Sequence, residues 1–290
     1  MQDLRDRASI RIDKNLEIPS IPLVVSRILQ LLNDDAVTAH QLEEVVRHDP
    51  SLSLRILKIA NSAFYSFRHE VKAISHAIAL LGLNLVKSLA IGVSIFETFT
   101  KGNPGERLLI NRLWMHSFGT GVLSQAVWAL RRNPKEGEFA FLCGLLHDIG
   151  KAVLFKHDAA QYSKLLVKHA KEPGPDLCTL EMEQYGYDHA TLGALLIAKW
   201  RLPTELATVV REHHHALDSG SELVCTVALS DHLARVAGIG YKEVHADEEE
   251  AKRLKEQLVV SEDEVSRLAA LADYRRADVE GFFGAYWSRG

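Results

Sequence analysis

The chain is short of cysteine, of uninterrupted apolar sequence and of charge in excess of one sign. Its 290 residues hold three cysteines, Cys143, Cys178 and Cys225, far apart and with no CxxC pair. That excludes a disulfide framework and fits a reducing compartment, so a cytoplasmic location is expected. A formal net charge of −4 argues against a general nucleic-acid binder. The only basic grouping of note is Arg107, Arg112, Arg131 and Arg132, too scattered to make nucleic acid an expected partner. The polar start Met1-Gln2-Asp3-Leu4-Arg5 carries no signal-peptide pattern. The most apolar stretch, Ala77 to Phe96, is interrupted by Asn84, Lys87 and Ser88, and reads as a buried helix rather than a membrane span. No segment sustains period-two alternation, so strands are not expected.

Helical signals fill the space that these absences leave. Val24, Ile28, Leu31 and Leu32 recur at three- and four-residue steps. Thr38 and Gln41 form a capping box, and Asp49-Pro50 supplies an N-cap followed by proline at the first helical position. Val71, Ile74, Ile78 and Leu81 form a further stripe, closed by Gly82; Val86, Leu89, Val93 and Phe96 form another. Lys101-Gly102-Asn103-Pro104-Gly105-Glu106 is the strongest break. The expectation is an all-α fold of two packed helical subdomains. Residues 1–14 form a lead-in, 15–103 the first subdomain, 104–240 a second subdomain holding the functional site, and 241–290 charged helices. Those last helices are read as solvated, with Ser261 and Glu264 as a second capping box.

The chemistry lies in the second half. His147-Asp148-Ile149-Gly150-Lys151 follows the apolar run from Phe139 to Leu146. A carboxylate and an imidazole beside so much apolar sequence need a partner, because an unpaired buried charge costs several kcal/mol. Lys151 lies one helical turn after His147, on the same face. Further ligand-type residues stand in helical surroundings: His116, His189, the run His213-His214-His215, and Asp231. Taken singly, His116 reads as a core histidine, His189 as a helix cap, the triple run as an exposed helix end, and Asp231 as a partner for Arg235. Taken together, imidazoles and carboxylates suit Zn, Mn, Fe or Ni, and the lack of any cysteine among them weakens a structural zinc reading.

The ordered set resembles the HD superfamily of metal-dependent phosphohydrolases. The family's first His, its His-Asp doublet and its final Asp match His116, His147, Asp148 and Asp231. The resemblance implies one metal on those four residues. It implies a second on His189, His213 and His214, with Asp148 as bridge, and Lys151 facing a phosphate; Asp148 and Lys151 would then be the catalytic pair. His215 has no counterpart. One or two divalent ions are expected, with Fe or Mn favoured and Zn or Ni as further candidates.

The first half resembles a narrower family. Ile18-Pro19-Ser20-Ile21-Pro22, Arg47-His48-Asp49-Pro50-Ser51-Leu52, Ala60-Asn61-Ser62-Ala63 and Ile74-Ser75-His76-Ala77 are similar to the HDOD domain, an HD-related output domain of bacterial signalling proteins. Asn61 and Ser62 are read as structural. HDOD domains mostly carry degenerate HD sites and act through protein partners, whereas the ligand set of this chain is complete. The cyclic-dinucleotide branch of the HD superfamily carries Gly-Tyr-Pro after its paired histidines; here that region reads Ala216-Leu217-Asp218-Ser219-Gly220-Ser221-Glu222. The resemblance thus implies a signal-transduction output protein that binds metal and regulates protein partners. The alternative is an active phosphohydrolase or phosphodiesterase on a nucleotide, a cyclic dinucleotide or another phosphorylated small molecule.

Overall fold

The computed structural model describes residues 16, 18–32, 38–62, 65, 67–100, 104–132, 136–171, 176–240 and 248–287. The lead-in 1–14, Ala63, the break residues Lys101 to Asn103 and parts of the loops near 133, 172 and 241 lie outside them. Among the described residues the regular structure is entirely helical.

Five helices build the first half: α1 (Leu23–Leu32), α2 (Ala39–Arg47), α3 (Pro50–Ala60), α4 (Ile74–Leu81) and α5 (Leu83–Glu97). Their starts follow local chemistry. Gln41 N–H donates to Thr38 Oγ1 and Thr38 N–H to Gln41 Oε1, the reciprocal capping box. Leu52 N–H donates to the Asp49 carboxylate at 3.0 Å. Gly82 stands at φ +92 between α4 and α5, a backbone setting that side chains rarely adopt. The buried stripe of α1 is Val25 and Ile28, whereas Val24 and Leu31 are half-buried; Val71 is buried from the loop before α4. Asn61 ends α3, and its amide clamps the backbone of Val71 from both sides, at 2.7 Å in each direction.

The second half contains α6 (Pro104–Ala129), α7 (Gly137–Leu146), α8 (Ile149–Lys171), α9 (Leu177–Tyr185), α10 (His189–Lys199) and α11 (Thr204–Glu212). A 3-10 turn (His213–His215), α12 (Ala216–Ser219) and α13 (Glu222–Val236) complete it. Helix α8 breaks at Asp158 (φ −150, ψ 72), whose carboxylate accepts from Gln161 N–H and starts the next segment. Glycines set two close crossings. A Cβ on Gly144 would stand 2.8 Å from Gly121 Cα, so α6 and α7 touch through their backbones. A Cβ on Gly150 would stand 1.9 Å from His189 O, so α8 and α10 do the same.

The halves share one apolar core. Helix α5 packs on α7, where Gly92 sits against Leu145 and Trp114, and Trp200 Nε1–H donates to Pro19 O at 3.0 Å. Helices α14 (Glu248–Gln257) and α15 (Glu262–Trp287) depart from the expectation of solvated helices. Ala251, Leu254, Leu258, Val260, Leu268 and Ala272 are buried, with α14 packed on α13 and α15 on α6. The high charge density of this segment masks an apolar stripe at helical spacing. Its capping box does form, with Ser261 and Glu264 bonded reciprocally. No single described helix is long and apolar enough to cross a membrane; α4 and α5 together would be, but they are bent by 120°.

Candidate metal centre

Five points of the fold deliver the ligand-type side chains. His116 comes from the middle of α6 and Asp231 from α13. His147 and Asp148 occupy the turn between α7 and α8. His189 is the first residue of α10, whose N-cap is Asp188, bonded to Thr191 N–H at 2.6 Å. His213 and His214 come from the 3-10 turn. That turn has three residues per revolution, so consecutive side chains diverge by about 120°. Two of its histidines point inward and His215 is exposed.

These residues form two groups. His116, His147 and Asp231 offer ligand atoms within 4.8 Å of one another, and so do Asp148, His189, His213 and His214. Asp148 faces both. Its Oδ1 stands 3.3 Å from His189 Nε2 and 3.6 Å from His213 Nε2. Its Oδ2 stands 3.4 Å from His147 Nε2 and 3.9 Å from His116 Nε2. Asp231 Oδ1 lies 2.8 Å from His116 Nε2 and 3.6 Å from His147 Nε2, while its Oδ2 meets Arg235 Nε at 3.1 Å. Asp231 therefore combines the pairing with Arg235 and a place in the cluster. Lys151 Nζ, nearly buried, donates to Asp148 Oδ2 at 2.6 Å.

Hydrogen bonds on the far side of the rings set their orientation. His147 Nδ1 meets Gly144 O at 2.7 Å and His213 Nδ1 meets Val210 O at 2.8 Å. A carbonyl only accepts, so each Nδ1 carries a proton, and in the neutral ring each Nε2 presents a lone pair to the cluster. Both Nε2 atoms are buried and lack a hydrogen bond of ordinary length. Lone pairs facing carboxylate oxygens at 3.4–3.6 Å repel unless a cation lies between them. Ligands about 2.1 Å from a shared ion stand about 3–3.5 Å apart, so the donor set fits a divalent metal. His214 Nε2 and His189 Nε2 are 2.9 Å apart, a spacing that suits a cation held by both.

Electrostatics sort the groups by charge. Burial would raise the Asp148 carboxyl, but His147 and Lys151 beside it hold it well below the usual carboxylate range. Burial opposes ionisation of Asp231 too, and Arg235 and His116 hold it low. Burial pushes His213 down to about 4, and pushes His214 well down with the help of His213 and His189. Those two rings are neutral near pH 7, the form that binds metal.

One neighbour was not visible in the sequence. Glu181 of α9 is fully buried. Its Oε2 accepts from both His189 N–H and His189 Nδ1 at 2.7 Å, and its Oε1 accepts from the Tyr162 hydroxyl at 2.5 Å. Cys178 stands beside this pair, and burial pushes its thiol up. Leu177 and Leu180 hinted that this face of α9 turns inward, and Glu181 follows Leu177 by one turn. Two of the arginines lie away from this site: Arg131 bonds Glu264 and Val259 O, and Arg132 bonds Glu222.

The HDOD domain family matches residues 18–216, more than half of the chain. The chain belongs to the HDOD domain family. The match stops short of Asp231. A Treponema pallidum (strain Nichols) protein of uncharacterised function is 25% identical over 231 residues, 77% of this chain and 43% of that protein. The chain thus spans less than half the length of this curated relative. An HDOD protein of unknown function from Geobacter sulfurreducens superposes with a TM-score of 0.76 at 22% identity, covering 96% of each chain. A protein from Shewanella amazonensis SB2B, provisionally named a phosphohydrolase, gives 0.72 at 24%, covering 96% of this chain and 97% of its own. A protein from Marinobacter aquaeolei VT8, provisionally named for signal transduction, gives 0.74 at 21%, covering 98% and 65%. At these identities the likeness is one of fold.

Proposed function

We propose that this HDOD protein is a signalling module whose second half, residues 104–240, binds one or two divalent ions and whose output is the regulation of protein partners. The observation that carries it is the two-sided placement of Asp148. One oxygen serves the His189–His213 side and the other the His116–His147 side. His116, His147, Asp148, Asp231, His189, His213 and His214 are the proposed ligands, and Fe or Mn is the favoured metal. The signal-transduction name of one structural neighbour is compatible with this output, and the first half, residues 15–103, is its proposed partner-facing part.

Burial favours regulation over turnover. His116, His147, Asp148 and His189 are 0% exposed, His213 3% and Asp231 5%. Only the half-buried His214 opens the cluster toward solvent. A substrate ester needs a cleft that reaches the reacting centre. Metal that binds only the folded form stabilises it by mass action, which lets metal occupancy set the state of the half that meets a partner.

The alternative, a phosphohydrolase, draws support from the completeness of the ligand set. Two bound ions would there supply an activated water. Asp148 would span them, and His147 and His213 would hold their lone pairs inward. Lys151, tied to Asp148, would offset carboxylate charge and stabilise phosphoryl oxygens. The test is an assay of metal-loaded protein against bis(p-nitrophenyl) phosphate, cyclic dinucleotides and nucleoside triphosphates. The proposal expects bound metal and no turnover. Turnover that disappears in Asp148→Ala would replace it with the enzyme reading.

A further inference from the structure

Glu181 is a fully buried carboxylate with no counterpart in the ligand pattern read from the sequence. Its three hydrogen bonds explain its place. One oxygen accepts from both the backbone N–H and the ring Nδ1 of the same residue, His189, at 2.7 Å each. Two contacts from one atom fix both the start of α10 and the rotation of that ring. The backbone contact also satisfies an N–H that the first turn of a helix leaves without an intrahelical acceptor. The other oxygen is anchored by Tyr162, itself fully buried in α8, so the carboxylate has no freedom to swing. With the proton held on Nδ1, His189 turns Nε2 toward Asp148 Oδ1 at 3.3 Å and His214 Nε2 at 2.9 Å.

We propose that Glu181, braced by Tyr162, is a positioning residue of the metal centre: it fixes the proton and the orientation of His189 so that Nε2 is presented as a ligand. This rests on the metal reading above. A rival use of the same atoms is a separate ligand set of Cys178, Glu181 and His189, which lie within 4.8 Å of one another. The 2.7 Å bond between Glu181 and His189 Nδ1 opposes it, because a metal there would have to displace the proton that the bond holds.

Four variants and two readouts separate these ideas. In Glu181→Gln the side chain keeps its shape but cannot accept from Tyr162 and His189 at once. Its affinity for added Mn(II) or Fe(II) should fall about 10–100-fold, as for other groups that orient a metal-binding histidine. Tyr162→Phe should cause a smaller loss, and Cys178→Ala none, with helical circular dichroism retained in each. The second readout is ring 1H–15N NMR of the metal-free protein. A slowly exchanging Nδ1–H of His189 is expected in the wild type and should vanish in Glu181→Leu. An unchanged metal affinity in a folded Glu181→Leu, which can accept from neither His189 nor Tyr162, overturns the proposal. So does a loss in Cys178→Ala as large as in Glu181→Gln. A wild type that binds no metal sinks the metal reading alone; the proposal is then decided by the NMR signal, whose absence from the wild type overturns it.

Discussion

The two halves bury different chemistry. Among the described residues before 104, the buried polar side chains are Ser88 and Ser94. After 104 they include four histidines of the cluster, Asp148, Lys151, Glu181 and Asp231. Apolar burial is non-directional, whereas a buried charge survives only with a placed partner. The first half is therefore a packed scaffold whose polar groups close helix ends and loops. The second spends part of its core on groups that only partners in fixed positions can satisfy. Both halves share one apolar core, joined where α5 packs on α7.

That contrast can be broken or sharpened by substitution. The largest effect is expected from Gly150→Ala. The new Cβ meets His189 backbone at 1.9 Å, which separates α8 from α10. Stability should fall by about 3 kcal/mol or more and metal should be lost with it, measured by urea unfolding and elemental analysis. Leu89→Ala, in the core of the first half, should cost about 2–4 kcal/mol by urea unfolding while the folded fraction keeps its full metal content. Equal metal loss in both variants would erase the distinction between scaffold and site. Asn61→Ala removes the clamp on Val71 and should cost about 1–2 kcal/mol, again with no change in metal. Arg131→Ala, which unties the turn after α6 from Glu264, should move the unfolding midpoint least of all.

Much of this was legible in the residues. Caps at Thr38, Asp49 and Ser261 follow from side chains that reach their own backbone three residues on, which is local chemistry. The His147-Asp148 doublet announced itself because polar groups rarely follow so apolar a run. Other features depend on what arrives from elsewhere in the chain. Glu181 sits in Leu180-Glu181-Met182-Glu183-Gln184 and looks solvent-facing until α10 places His189 over it. The ion pair of Lys151 with Asp148, three residues before it, depends on the turn at His147-Asp148 that brings the two together. The inward turn of His213 and His214 with His215 left outside needs a 3-10 turn that three identical residues do not specify. The buried stripe of α14 and α15 was obscured by surrounding charge.

The central claim is that Asp148 joins two ligand groups into one metal centre. Elemental analysis of protein purified after growth with Fe and Mn supplied tests it most directly, with Asp148→Ala and Leu89→Ala purified alongside. The account predicts one to two equivalents of divalent metal in the wild type and in Leu89→Ala, and essentially none in a folded Asp148→Ala. A metal-free wild type, or an Asp148→Ala variant that keeps its full complement, would contradict it.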